Sequence, residues 1–300
     1  EIIAEYGHIL IILAVVVGFI MAFGVGANDV ANAMGTSVGA GALTVKQAIM
    51  VAMVFEFAGA YLAGGQVTST IRKGIIDASS VSGTPELLIY GMIAALLAAG
   101  IWLLIATWFG WPVSTTHSIV GAIVGFAAVG IGVDAVHWGK VISIMMSWVV
   151  SPVIAGALAY FIFTSVQKLI INTEYPLINA KKYVPYYMFL AGFMISLVTL
   201  YKGLKHVGLD LSFSESIAIA IFTGIIIAVI GKIVIGKMKF DAKADKHYHF
   251  TNLERIFGVL MVVTACGMAF AHGSNDVANA IGPLAAVVSI VESNGEISNK

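Results

Sequence analysis

The chain has 300 residues, of which 59% are hydrophobic and only 11% are charged, and its mean hydropathy is +0.97. Soluble domains carry about 25% charged residues, so this composition argues against a soluble domain and indicates a polytopic helical membrane protein. A net charge of zero gives no reason to expect nucleic acid as a partner, and a single cysteine cannot form a disulfide framework within the chain.

Apolar runs of roughly 17–25 residues predict the membrane-spanning helices. No Asp, Glu, Lys or Arg occurs between Leu87 and Val133, and Gly110-Trp111-Pro112 divides that stretch into two spans. The sequence therefore predicts eight spans, which lie near 8–34, 44–65, 86–109, 113–132, 136–164, 184–203, 212–236 and 252–284.

The same six residues, Asn-Asp-Val-Ala-Asn-Ala, occur in the first span at 28–33 and in the last span at 275–280. Seven crossings separate the two copies in this count, so they enter the membrane in opposite directions. Such repeats are typical of inverted-topology transporters, whose site lies near the midplane. Glycines around each copy favour a local departure from helical geometry. The predicted fold is an all-α polytopic membrane protein with inverted-topology repeats and broken helices at the midplane.

A carboxylate flanked by asparagines is costly in hydrocarbon, which favours a functional role over a purely structural cap. Carboxylate and amide oxygens beside unwound backbone suit Na⁺ as a coupling ion. The second copy is preceded by His272 and Ser274, so the two half-sites differ chemically. The predicted Na⁺ ligands of the two copies are Asn28, Asp29, Asn32, Asn275, Asp276 and Asn279.

The segment from Pro112 to Ser118 interrupts the uncharged stretch with three consecutive hydroxyl residues. Ser114 is a good helix N-cap, and the amides of the first helical turn would face an anion. Phosphate fits, because its protonated oxygens also need acceptors, which Asp29 or Asp276 would supply. The predicted phosphate ligands are therefore Asp29, Ser114, Thr115, Thr116 and Asp276. The alternative, that the hydroxyls only cap a helix and bond between helices, stays open here.

Glu56 is the one acidic residue of the second predicted span, about three turns inside the helix. An unpaired carboxylate is costly at that depth, so we add Glu56 to the candidate Na⁺ ligands. A proton relay, a hydrogen bond to a broken helix and a simple paired glutamate remain alternatives.

Basic residues predict the orientation of the chain, because cytoplasmic loops are enriched in Lys and Arg. Ten of the sixteen fall on the side of the loop 237–249, and six fall on the side of the N-terminus. We therefore expect a multi-pass protein of the cell membrane with its N-terminus outside and the 237–249 loop in the cytoplasm.

The two copies of Asn-Asp-Val-Ala-Asn-Ala and the run Pro-Val-Ser-Thr-Thr-His-Ser resemble the inorganic phosphate transporter family, and the resemblance covers nearly the whole chain. It implies sodium- or proton-coupled phosphate symport, a site between two inverted repeats, a homodimer and a cytoplasmic central loop. It also implies that Glu56 matches an important glutamate of the family's second helix.

In that family the Ser-Thr-Thr-His segment recurs in the second half. Asp29 and Asp276 are 247 residues apart, and the same offset from Thr115 falls beyond Lys300. We therefore expect a longer protein with a further C-terminal segment. The predicted organisation is a first inverted repeat at 1–165, connecting spans and a cytoplasmic loop at 166–250, and the start of a second repeat at 251–300.

The sequence thus predicts a secondary active symporter of inorganic phosphate coupled to Na⁺, in contact with the lipid bilayer. Proton-coupled phosphate transport and sulfate transport are the alternatives. Sulfate is the weaker one, because it is fully deprotonated at neutral pH and the carboxylates would repel it. An enzyme is disfavoured because there is neither a His-rich ligand set nor an evident nucleophile–base pair, and no organic cofactor is expected.

Overall fold

The computed structural model describes residues 2–65, 68, 74–203, 209–240 and 251–297. Their regular structure is helical, apart from an isolated bridge between Ile76 and Val136 and two short 3₁₀ turns. The α-helices are α1 (Ile2–Gly39), α2 (Val45–Ala63), α3 (Pro85–Trp108), α4 (Thr115–Phe126), α5 (Trp138–Val166), α6 (Pro176–Val198), α7 (Phe213–Lys237) and α8 (Thr251–Glu292).

Among the described residues, seven helices are long and apolar enough to cross a membrane. The prediction of eight spans is corrected at 113–132, where α4 and its π-helical continuation form a shorter apolar helix, Thr115–Ile131. The helix is shorter because Ser114 caps its start and a glycine at 132 with a φ of 155° ends it. Residues 241–250 of the predicted cytoplasmic loop lie outside the described residues.

Helices α3 and α4 form a hairpin, and the segment before α3 is hydrogen-bonded to the segment after α4. The backbone N–H of His137 donates to the carbonyl of Ile75 at 2.9 Å, and that of Asp77 donates to Ala135 at 2.9 Å. In the segment before α3, the pKa of Asp77 is held below its usual range by hydrogen bonds from Ser79. The bond from the Ser79 hydroxyl has the larger effect and that from its backbone N–H the smaller. The hairpin therefore begins and ends on the same side of the membrane. It adds an even number of membrane crossings, however deeply it inserts.

The ring of Phe126, at the end of α4, packs directly on Gly91 of α3, where an added methyl group would overlap it. We expect Gly91→Ala to lower the melting temperature of the protein in detergent, since overpacking costs about 1–3 kcal/mol. Gly121→Ala on α4 is the control, because no atom lies within 4 Å of a methyl group there. A melting temperature that falls equally in both variants would contradict this packing.

The predicted helix breaks at the duplicated motif do not occur: α1 continues through residues 28–33 and α8 through residues 275–280. Gly24, beside the first copy, and Gly100 of α3 serve close packing instead. A Cβ placed on Gly24 would lie 3.0 Å from the Cβ of Leu103, and one placed on Gly100 would lie 3.4 Å from the backbone nitrogen of Met21. The lack of side chains therefore lets α1 and α3 approach each other, and neither glycine takes a non-helical conformation.

The two motif-bearing helices run antiparallel. Gly7 of α1 lies against Val291 of α8, and Gly18 lies against Leu284, so residue numbers fall along α8 as they rise along α1. This is the orientation that an inverted repeat predicts for these segments. It also agrees with the odd number of membrane crossings predicted between the two copies, because the α3–α4 hairpin adds an even number. The full repeat and its boundaries stay predictions.

The chain divides into two compact units. The first comprises Glu1–Asn32, Gly59–Met146 and His272–Lys300, and the second comprises Ala33–Ala58 and Ser147–Ala271. The first unit therefore contains residues 28–32 of the first motif copy, the whole second copy and the α3–α4 hairpin. The second has an apolar core that includes Ile170, Val184, Met188, Ile235 and Ile256.

Candidate functional site

The first turn of α4 is built as the sequence predicts. The hydroxyl of Ser114 accepts a hydrogen bond from the backbone N–H of His117 at 3.2 Å, which is an N-cap. The hydroxyl of Ser118 donates to the Ser114 carbonyl at 2.7 Å and fixes the turn further. The positive end of the α4 dipole thus lies beside Thr115 and Thr116.

Asn28 of α1 holds the connection between α3 and α4. Its amide group donates to the carbonyl of Trp111 at 3.0 Å and to the hydroxyl of Thr107 at 3.2 Å. Its carbonyl oxygen accepts from the backbone N–H of Val113 at 3.3 Å. Asn28 is only 8% exposed, so these bonds satisfy a polar group that would be costly to bury without partners. The side chain predicted as an ion ligand therefore fixes where α4 begins.

Thr115 connects the hairpin to the first copy of the motif. Its hydroxyl donates to the carboxylate of Asp29 at 2.8 Å and accepts from the amide of Asn279 at 3.1 Å. Thr115 and Asn279 are 2% and 1% exposed, so this chain of bonds is sheltered from solvent. A buried network of this kind is rigid only while every member has a partner.

Thr116 connects the same helical turn to the second copy. Its hydroxyl lies 3.4 Å from a carboxylate oxygen of Asp276, at the long end of hydrogen-bonding distance. The amide of Asn279 lies 3.2 Å from the Thr116 hydroxyl and 3.3 Å from the same Asp276 oxygen. Adjacent hydroxyls at the start of α4 therefore contact carboxylates from opposite copies of the motif.

His272 lies between the two carboxylates. Its Nε2 atom is 2.7 Å from Asp276 and 3.6 Å from Asp29. From the sequence, His272 was noted as a difference between the copies but was not among the predicted ligands. The available signal was the spacing: His272 and Asp276 are four residues apart and share one face of α8.

Asp29, His272 and Asp276 form a group that can hold a cation, because one ligand atom from each lies within 4.8 Å of the other two. The side chains are 13–18% exposed, so the charges are partly withdrawn from solvent. Two carboxylates at such a separation repel each other, and a cation between them relieves that repulsion.

The remaining candidates differ from these residues in their burial or in the unit to which they belong. Asn32 and Asn275 are exposed, whereas their counterparts in the other copy, Asn279 and Asn28, are buried. Identical motifs thus use different asparagines. Glu56 is half-buried on α2 and belongs to the second unit, so its part in ion binding stays a prediction.

Two partly buried carboxylates, one from each copy of the antiparallel motif pair, thus lie at the capped start of α4. The Phosphate transporter family matches residues 25–300. This chain belongs to that family. It is therefore a multi-pass membrane protein of the Phosphate transporter family, whose members are transporters and not enzymes.

Members of the phosphate transporter family from distant organisms are similar to the chain. A Haemophilus influenzae protein named a phosphate permease is 56% identical over 297 residues, covering 99% of this chain and 70% of the relative. The chloroplastic inorganic phosphate transporter 2-1 of Arabidopsis thaliana is 40% identical over 294 residues, covering 92% of this chain and 50% of the relative.

A solved structure, described as the sodium-dependent phosphate transporter, has the same fold. It superimposes with a TM-score of 0.84 at 39% identity, covering 97% of this chain and 70% of that one.

Proposed function

We propose that this protein is a secondary active symporter that moves inorganic phosphate together with Na⁺. One observation carries the proposal: neighbouring hydroxyls at the start of α4 contact Asp29 and Asp276, which come from opposite copies of the motif. Anion donors and cation ligands therefore share one buried cluster. Occupancy of either part changes the hydrogen bonds of the other, which is the physical basis of coupled binding.

Phosphate binds, in this proposal, at the N-terminus of α4. Its oxygens accept hydrogen bonds from the Thr115 and Thr116 hydroxyls and from the backbone amides of the first turn, with the Ser114 cap fixing that turn. A protonated phosphate oxygen donates to Asp29 or Asp276. No fixed positive side chain is needed, because the helix dipole and bound cations offset the anion.

Na⁺ is the proposed co-substrate because the cluster offers hard oxygen ligands around two carboxylates. Asp29 and Asp276 bind the ion directly, and Asn279 contributes to that shell. Asn28 acts through the α3–α4 connection that it holds, and Asn32, Asn275 and Glu56 complete the set. The structural neighbour is described as sodium-dependent, which supports this ion.

Proton coupling is the second candidate, favoured by the 2.7 Å contact between His272 and Asp276. A histidine in contact with a carboxylate offers a route for H⁺ in place of Na⁺. In that version the same cluster binds phosphate, and only the driving ion differs.

The whole protein is proposed to be a homodimer in the cell membrane, with its N-terminus outside. We also propose a further C-terminal segment with a second Ser-Thr-Thr-His run. The exposed Asn32 and Asn275 support it, because their buried counterparts, Asn279 and Asn28, bind the first hairpin. A second hairpin would give the exposed pair equivalent partners.

Uptake of labelled phosphate into liposomes, with Na⁺ and proton gradients imposed separately, tests the proposal. We expect accumulation above equilibrium when an inward Na⁺ gradient is present and little uptake when K⁺ replaces Na⁺. Accumulation driven by the proton gradient alone would support proton coupling instead. Equilibration without accumulation under either gradient would contradict symport, and complete competition by sulfate would contradict selectivity for phosphate.

A further inference from the structure

A groove of about 510 Å³ lies along α6 and α7 in the second unit, and its lining residues belong to neither motif helix. Both helices are long and apolar enough to span a membrane, and the wall residues Tyr186, Ile225 and Val229 are exposed. Lysines gather at one end, and the rest of the wall is apolar or aromatic. The groove is lined by Lys181, Lys182, Pro185, Tyr186, Phe189, Ile221, Ile225, Ala228, Val229 and Lys232.

The walls of the groove are held by close contact between α6 and α7. A Cβ placed on Gly192 would lie 2.6 Å from the Cδ1 atom of Ile227, and one placed on Gly224 would lie 2.9 Å from the ring of Phe189. Gly231 of α7 also lies against Met188 of α6, whereas Ile227 lies against Gly192, so the two helices run antiparallel. A pair of helices packed this tightly presents a preformed surface, which lowers the entropic cost of binding.

The lysine end of the groove is strongly basic. Lys181 places its ammonium group 4.4 Å above the ring of Phe240, and Lys182 places its own 5.0 Å above the ring of Tyr183. Among the described residues, these two ammonium groups thus lie over aromatic rings, which do not neutralise their positive charges. Lys232 adds a third charge from α7.

We propose that this groove binds an anionic phospholipid. The phosphate of the head group lies against Lys181, Lys182 and Lys232, and an acyl chain follows the apolar wall toward Ile221. Basic pockets between membrane helices recognise such head groups. From Lys232 to Ile221 the helix rises about 16 Å, close to one half of a hydrocarbon core of roughly 30 Å. Free phosphate would use only the lysine end and would leave the apolar wall without a partner.

Native mass spectrometry of the full chain in detergent tests this, with dioleoyl phosphatidylglycerol or dioleoyl phosphatidylcholine added. We expect the anionic lipid to be retained and the zwitterionic lipid to bind at least about tenfold more weakly. The triple variant Lys181→Gln/Lys182→Gln/Lys232→Gln should weaken phosphatidylglycerol binding on the order of 100-fold, since each lysine contributes about fivefold.

Two further variants separate a lipid site from general charge attraction. Lys46→Gln/Lys140→Gln/Lys168→Gln removes the same charge from exposed positions that do not line the groove, and it should leave phosphatidylglycerol binding unchanged. Ile225→Trp narrows the groove at a wall residue that is 49% exposed, and it should weaken the lipid without altering the charge.

Equal loss in both lysine variants would overturn the proposal in favour of nonspecific attraction. Full phosphatidylglycerol binding by Ile225→Trp, or its displacement by millimolar inorganic phosphate, would overturn it in favour of an anion site without an acyl chain. Failure of the unaltered protein to retain phosphatidylglycerol would mean that a second copy or another segment covers the groove, and would equally overturn it.

Discussion

Asp276→Asn should abolish sodium-driven phosphate uptake while the protein remains folded. Asparagine keeps the shape of the side chain and an oxygen acceptor for Thr116 and Asn279, but it removes the negative charge that a cation requires. Loss of one partner of a buried charge pair costs roughly 2–5 kcal/mol, so uptake should fall by about two orders of magnitude. Asp29→Asn should have a comparable effect, since its carboxylate accepts the Thr115 hydrogen bond at 2.8 Å.

The measurement is initial uptake into liposomes at several Na⁺ concentrations, with circular dichroism and melting temperature as checks of folding. Asp134→Asn is the matched control, because Asp134 is exposed, follows the α3–α4 hairpin and lies in the same unit. Its uptake should equal that of the unaltered protein. Normal uptake with unchanged Na⁺ dependence in either motif variant would show that its carboxylate does not bind the ion.

Thr116→Val should weaken phosphate binding more than Na⁺ binding. Valine matches the shape of threonine but removes the hydroxyl that lies 3.2 Å from Asn279 and 3.4 Å from Asp276. A hydrogen bond to a charged group contributes about 1.5–3 kcal/mol, so the KM for phosphate should rise roughly 10- to 100-fold. The half-saturating Na⁺ concentration should change much less.

Thr116→Ser is the control, since it keeps the hydroxyl and should retain most of the phosphate affinity. Phosphate and Na⁺ titrations of all three proteins at fixed co-substrate supply the comparison. If valine and serine raise the phosphate KM equally, then loss of the hydroxyl does not explain the effect, because serine keeps that hydroxyl. If valine affects Na⁺ as much as phosphate, then Thr116 serves mainly to position Asp276.

Local chemistry made several parts of this fold predictable. Apolar length located the spanning helices, because backbone groups in lipid must bond within the helix. Ser114 was predicted as an N-cap from its own side chain and the proline before it, and both signals are local. The span predicted at 113–132 was too long because hydropathy cannot register a cap and a terminal glycine at 132.

Contacts between helices decided two features that the sequence left ambiguous: the role of the glycines near the motif and the choice of buried asparagines. A glycine inside an apolar run serves equally for a helix break or for close approach of a neighbour, since both use the missing Cβ. Gly24 was predicted to help break α1, but the nearby Leu103 shows that it serves close approach. Likewise, two identical motifs gave no reason for Asn28 and Asn279 to be the buried pair, because burial depends on which element each copy meets.

The hydroxyls of Thr115 and Thr116 bear on the step of a transport cycle in which the empty transporter returns. A symporter that has released phosphate and Na⁺ must reset, and bare carboxylates would oppose that step in a low-dielectric interior. Here the two hydroxyls turn to Asp29 and Asp276 and, with His272 beside them, give each carboxylate a polar partner. In the proposed symport, arriving phosphate would accept those same hydrogen bonds and leave the carboxylates to the cations. The protein's own side chains would then stand in for the cargo during the return step.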